Sequence, residues 1–511
     1  MHKRLIIASI GILLPVLASY AQTAEDALLF SNTSVNGTAR FQGMGGAQTA
    51  LGADISSISG NPAGLGFFRK SEWSITPSIG FSNTQSNYLN TVTSDGKSYL
   101  NVANMGIVFA KPKDAIVGGK WRGGAFGISF NRMSSYQRQV SYQGVNNVNS
   151  LLDSFTDQAT GITLGDFEGS LGPPRLQAAF DTYLINPFSN DINEDRWFSS
   201  IGEIETSPGQ YIQAPVQQNE TINYTGARNQ WNLSYGGNYD DKLYFGASVG
   251  ISNIRFGQQN RYREVVQARP EDLIVDNFTL TEDIDVRGTG VNLTAGIIYK
   301  ANDIIRFGAS FTSPTWYRLT DNYIPRIQAN FEYPEFFDPA IERYQDKTIE
   351  VEPLRYNLTT PLSISGGLAL FAGKNGFITA DVTYSTYNSI RFGNSNEVDF
   401  GSENEFISRN YQPTVNARIG GEFRKDIFRL RAGAGYQTDP YKDLVDDLNR
   451  QVLNFSAGAG IRLPEFYIDL AVVHNRFDNG YTPYTISNQA TPSVIIKNRL
   501  TNAVLSFGMF F

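Results

Sequence analysis

Apolar and polar residues alternate with a period of two over long stretches of the chain. Trp73, Ile75, Pro77, Ile79 and Phe81 interleave with Ser74, Thr76, Ser78, Gly80 and Ser82. Leu453, Phe455, Ala457, Ala459 and Ile461 interleave with Asn454, Ser456, Gly458, Gly460 and Arg462, and Phe428, Leu430, Ala432 and Ala434 with Arg429, Arg431, Gly433 and Gly435. Successive side chains of a strand point to opposite faces, so each segment has one apolar face and one polar or small face. In a soluble sandwich the apolar face would be core. Here the opposite face carries glycine and arginine, which suits the lumen of a membrane barrel.

The spacing of the breaks supports the barrel. Short connections are expected at 111–120, 238–242, 300–303, 373–376, 424–426 and 463–465. Long ones are expected at about 83–97, 134–220, 257–283, 313–356, 393–410, 438–450 and 478–495. Six short and seven long connections predict an all-β, transmembrane antiparallel β-barrel of 14 strands, with tight turns at the periplasmic end and long loops outside. The longest loop, 134–220, is expected to hold short helices near 147–158 and 175–184.

Aromatic residues cluster beside the expected short turns: Tyr239, Tyr244, Tyr299, Phe377, Phe423, Phe428, Phe466 and Tyr467, with Trp73 in the first strand and Phe510 in the last. Such a ring predicts an interfacial girdle. The last strand runs to the terminus with Ala503, Leu505, Phe507, Met509 and Phe511 on one face. That ending resembles the signal read by the barrel-assembly machinery, with Phe507, Met509 and Phe511 as its apolar positions. A strand reaching the terminus can also close the barrel and leave no edge unpaired in lipid.

Composition changes the picture in three places. Lys3 and Arg4 precede the apolar run Leu5 to Leu17, and Ser19-Tyr20-Ala21 supplies small residues, so residues 1–21 are read as a signal peptide. That segment holds two basic residues and no acidic one, so its removal takes the net charge from −7 to −9. An acidic chain without basic clusters argues against nucleic acid as a partner. The absence of cysteine excludes disulfides, cysteine zinc sites and a thiol nucleophile. Beyond Leu17 no apolar run is long enough for a membrane helix.

Residues 22–70 show little alternation and many breakers, and are expected to fold into the lumen as a hatch or plug ahead of a barrel at 71–511. Within them Gly37-Thr38-Ala39-Arg40-Phe41-Gln42-Gly43-Met44-Gly45-Gly46-Ala47, then Thr49, Ala50, Leu51 and Asp54, lead to Asn61-Pro62-Ala63-Gly64-Leu65. This segment resembles the hatch of the long-chain fatty acid and aromatic hydrocarbon transporter family of outer-membrane proteins (FadL/TodX-like). Residues 361–390 with Ala380-Asp381-Val382, and 417–436 followed by Asp439-Pro440, resemble strand pairs of that family. The resemblance covers nearly the whole mature chain, and loop 134–220 is longer than usual for the family.

The resemblance implies a monomeric barrel in the cell outer membrane, among lipid and lipopolysaccharide, that passes fatty acids or hydrocarbons without an energy source. The hatch would shift and the ligand leave sideways into the membrane. It marks Asn61, Pro62, Ala63, Gly43, Gly45 and Gly46 as hatch residues. Phe41, Met44, Leu65, Phe67 and Phe68 are candidate ligand contacts in the lumen, with plain packing of the hatch against the barrel wall as the alternative reading. No cofactor, metal or catalytic residue is implied. Some relatives of this family act in type IX protein secretion, an alternative that the long outer loop would suit.

Other chemistry is weakly signalled. Gly43, Gly45 and Gly46 follow no strand signal and open no convincing helix, so tight turns account for them better than a phosphate loop. His474 is the one histidine left after residue 21, too few for a multi-histidine haem or metal site. Asp443, Asp446 and Asp447 lack the spacing of a calcium loop.

Overall fold

The structure, a computed structural model, describes residues 24–113, 119–201, 203–207, 210–267, 275–332, 341–393, 398–442 and 448–511. The expected signal peptide and Asp443, Asp446 and Asp447 lie outside the described residues. Fourteen antiparallel strands close into one barrel: β1 Glu72–Tyr88, β2 Thr91–Pro112, β3 Trp121–Ser135 continued by Arg138–Asn146, β4 Val216–Tyr239, β5 Leu243–Val266, β6 Val275–Lys300 and β7 Ile305–Thr312 continued by Trp316–Phe331. Then come β8 Leu354–Thr359 continued by Ser363–Phe371, β9 Gly376–Ser385, β10 Thr414–Lys425, β11 Phe428–Gln437, β12 Val452–Arg462, β13 Phe466–Tyr481 and β14 Val494–Phe510. Each strand pairs with the next, and β14 pairs with β1 from Glu72↔Phe510 to Asn87↔Ile495, so the sheet closes on itself.

Across the membrane band the barrel is apolar outside and largely polar inside, the reverse of a soluble core. On β1, Ser74, Thr76, Ser78, Ser82, Thr84 and Ser86 are buried, while Ile79 is 44% and Phe81 42% exposed. A face of that kind is stable in hydrocarbon, where the strand backbone is satisfied by its neighbours. The outer face of β5 marks where the apolar band ends: Phe245, Val249 and Ile251 give way to Arg255, Gln259, Arg261 and Arg263, all exposed. At about 3.3 Å per residue a strand needs only about 9–11 residues to cross a bilayer. The 24 residues of β5 and 26 of β6 therefore extend far past it.

These extensions correct the expected loops. The connection placed at 83–97 is a two-residue turn, Leu89 and Asn90, both at positive φ, between strands paired as far as Tyr88↔Thr91. Likewise much of 313–356 is strand, up to Phe331. Beyond the lipid neither face has to be apolar, so alternation fades although the backbone ladder continues. The helices of the longest loop form as Leu151–Ala159, Leu164–Glu168 and Pro174–Asp181. Together with Trp197 from later in the loop, they bury Leu152, Phe155 and Phe167 against Phe278 and Ile327 of the extended strands. The loop is thus a packed cap, tied down where Glu264 accepts from the Leu151 N–H at 2.8 Å.

The aromatic ring is split. Tyr239, Tyr299, Phe423 and Phe428 are exposed at the short-turn end, as an interfacial girdle requires. Tyr244, Phe377 and Tyr467 are instead buried and face the lumen, and Phe510 packs beside Tyr467. Strand position fixed their level but not their face. Ala503 is partly exposed, and Leu505, Phe507, Met509 and Phe511 are exposed, along the outer face of β14. The Phe511 N–H reaches the Ser71 carbonyl at 3.0 Å beside the barrel seam.

Candidate functional site

The N-terminal residues 24–68 sit inside the barrel, held by lumen-facing polar side chains of the strands. The first helix, α1 Ala24–Ser31, is anchored where Tyr411 donates to the Ala24 carbonyl at 2.9 Å and Arg228 to the Phe30 carbonyl at 2.6 Å. A second, α2 Ala39–Gly43, is capped by Thr38, and its first N–H donates to the Ser506 hydroxyl of β14 at 2.7 Å. Asp381 of β9 accepts from the Gln48 and Thr49 N–H groups at 2.7 and 2.8 Å and from the Thr49 hydroxyl at 2.8 Å.

Asn61, Pro62 and Ala63 form the start of a 3-10 turn at Pro62–Phe67. The Asn61 side chain accepts from the Ala63 N–H at 3.2 Å and donates to the Thr49 carbonyl at 2.7 Å and the Ala309 carbonyl at 3.3 Å. It therefore caps its own turn and fastens it to β7. The wall beneath is made of glycines. A Cβ at Gly296 would strike the Asn61 side chain, one at Gly246 would strike Pro62, and one at Gly420 would strike Met44. Gly45 and Gly46 take positive φ, +66° and +80°, in a turn against Gly433 and Ala434, whereas Gly43 has ordinary φ and lies against Gly458. Neither arrangement resembles a phosphate loop.

Two cavities flank this segment. The one toward the long loops has a volume of about 230 Å³ and is lined by Leu28, Leu29, Val35, Tyr136, Phe256 and Leu500, with Arg138, Arg418 and Arg450 among its polar residues. The other, of about 300 Å³, opens at the short-turn end and is lined by arginines together with Phe67, Phe371 and Phe377.

Of the ligand contacts expected from the sequence, Phe67 lines a cavity and the others pack within the N-terminal segment or against the wall. Met44, Leu65 and Phe68 are buried in packing, Met44 with Leu51 and Phe377, the other two with Ile55, Ile58 and Val108. With Phe41 they line neither of these cavities, and Phe67 lines the short-turn one, stacked on Tyr244 at 3.6 Å. The cavity residues 28–35 carry no motif, so nothing in the sequence singled them out. His474, within β13, is held by Thr501 at 2.8 Å and Arg476 at 3.1 Å. Among the described residues no group of acidic, histidine and cysteine side chains could hold a metal ion.

The wall is interrupted beside the upper cavity. Pairing of β2 with β3 stops at Asn104↔Asn131, and β3 shifts register against β4 between Arg132 and Ser134. Above this point Arg138–Asn146 pairs with β4 alone. It leans over the inner face of β1 and β2, where Thr84 donates to the Gln139 carbonyl at 2.7 Å and Asp95 accepts from the Ser141 N–H at 2.6 Å. Tyr99, Ser134, Ser135 and Arg138, on the two sides of the break, all line the cavity. Higher up, Lys97 of β2 crosses to β4 and donates to Asn223 at 2.7 Å.

The chain matches no protein-family model, and no curated protein is similar to it in sequence. Among solved structures it is similar to a Pseudomonas aeruginosa FadL homologue, with a TM-score of 0.53 and 12% identity over 93% of this chain and 99% of that one. It is also similar to the Pseudomonas putida toluene transporter TodX, with a TM-score of 0.50 and 13% identity over 94% of this chain and all of that one. At such identities the likeness is one of fold: a FadL/TodX-like barrel, closed by 14 strands.

Proposed function

We propose that the chain is a passive outer-membrane transporter of small hydrophobic molecules, such as long-chain fatty acids or hydrocarbons. Residues 22–70 act as its hatch, and ligand leaves sideways through the break between β2 and β3. The observation that carries this reading is the shared lining: residues of α1 and the residues flanking the wall break bound the same cavity. Barrels of this architecture belong to the outer membrane, with short turns on the periplasmic side. An apolar ligand gains roughly 25 cal/mol for each Å² it removes from water, so cavity and bilayer are both favourable destinations. The unfavourable stretch is the polar outer layer, and the loop cap and cavity provide a lane through it.

The hatch would shift by exchanging hydrogen bonds of residues 24–35 with the wall, leaving the Asn61 anchor in place. No catalytic residue is needed for such passage, and none is proposed. The test is mass spectrometry of organic extracts from the detergent-purified barrel. Bound lipid or hydrocarbon is expected, and an empty lumen that conducts ions freely would sink the reading.

A further inference from the structure

We propose that the short-turn mouth, beneath the hatch, is a second ligand station that takes the carboxylate head of an amphiphile. The station rests on the transport reading and deepens it by placing where the charged head of an acidic cargo binds. Six arginines line the cavity, Arg40, Arg306, Arg424, Arg429, Arg431 and Arg462, against two carboxylates, Glu422 and Asp469. Those two are already engaged. Glu422 accepts from Arg431 at 2.6 Å, Arg424 at 2.7 Å and Arg40 at 3.1 Å, and Asp469 accepts from Arg431 at 2.6 Å.

Neither Arg306 nor Arg462 makes a close ion pair among the described residues, and Asp303 and Glu72 act on them only from further off. Arg306 lies over the rings of Phe371 and Phe67, 4.1 and 4.7 Å from their centroids. Its Nε is buried and makes no hydrogen bond. Arg462 lies over Phe510 and Tyr467 at 4.8 and 5.3 Å. Stacking uses the faces of a guanidinium and leaves its N–H edges free, the geometry that grips a carboxylate or phosphate in a fork. Beside these heads, Leu51, Phe67, Phe371 and Phe377 offer apolar surface for a tail.

The station also divides the cargo. An uncharged molecule loses nothing by entering hydrocarbon through the wall break. A carboxylate does, because desolvating its charge is strongly unfavourable unless the charge is paired. The cationic mouth therefore holds the head of an acid before its release and gives a neutral compound no such hold.

The test is photo-crosslinking of the full chain in nonionic detergent with a diazirine-bearing octanoic acid, alongside the matching alcohol. The acid is expected to label Leu51, Phe371 or Phe377, and millimolar inorganic phosphate to suppress that labelling. The double substitution Arg306→Gln and Arg462→Gln should cut it at least tenfold, and lysine at both positions should restore part of it. Equal labelling of the mouth by acid and alcohol would overturn the station, as would labelling indifferent to both phosphate and the glutamines. Phosphate binding without any acid labelling would assign the site to a free oxyanion and overturn the amphiphile. The transport reading fails separately, if the alcohol never labels Leu28, Leu29 or Phe256 while the acid still labels the mouth.

Discussion

Asp381 and Thr49 are joined twice: one carboxylate oxygen accepts both the backbone N–H and the hydroxyl of Thr49, each at 2.8 Å. The contact ties the middle of the N-terminal segment to β9 across 332 residues of chain. Replacing Asp381 with alanine strands two buried N–H groups, at a cost of about 3 kcal/mol. The segment should loosen without loss of the barrel. Planar-bilayer recordings should show larger or more frequent ion conductance, with unchanged heat-modifiable mobility on gels. Asp381→Asn, which keeps one acceptor, should fall between.

The glycine floor makes a sharper prediction. Gly296→Val would drive a side chain into Asn61 and displace the Asn-Pro-Ala turn, whereas at Gly366 an added methyl meets nothing within 4 Å. Limited proteolysis of residues 44–68 should therefore speed up severalfold for Gly296→Val and stay at the wild-type rate for Gly366→Ala. Equal protection in both would show that the turn does not depend on the close approach.

At the other end of the chain, Phe511 packs edge-on to Phe109 of β2, with ring centroids 6.3 Å apart, and sits at the seam where β14 meets β1. If Phe507, Met509 and Phe511 are the assembly signal, deleting Phe511 should lower the amount of folded barrel in the outer membrane severalfold. Ala503→Ser, on the same strand but away from the end, should leave it unchanged.

The outer cap carries a pH response. Burial pushes Asp153 up to about 6, against the lowering effect of the Ser150 backbone hydrogen bond. A carboxyl raised in the folded state stabilises it fully below its ordinary value near 4, and that contribution is lost as pH rises through 6. Hydrogen exchange in Leu151–Ala159, corrected for intrinsic rates, should thus report less protection at pH 7 than at pH 4. Asp153→Asn should flatten the difference.

Much of the barrel was legible because a lipid-facing strand must alternate: the Trp73–Phe81 and Leu453–Ile461 patterns follow from membrane physics alone. The short turns were legible for the same reason, since each lies between two such strands. Three things were hidden. The strands above the lipid, such as Arg255 to Val266, lose alternation while their ladder continues. The side of Tyr244, Phe377 and Tyr467 depends on register and not on nearness to a turn. Arg306, Arg431 and Arg462 lie on separate strands and meet only when the sheet closes. Asn61 was visible as a turn former, but its bond to Ala309 was not, because nothing local encodes a partner 248 residues away.

The most direct test of the account is the initial rate of hydrophobic uptake by cells carrying Ser135→Trp, which fills the break between β2 and β3 where Ser135 lines the cavity. Uptake of an uncharged hydrocarbon should fall at least fivefold against wild type, at equal amounts of folded barrel and unchanged ion conductance. Uptake at the wild-type rate with the break filled would contradict passage through the wall.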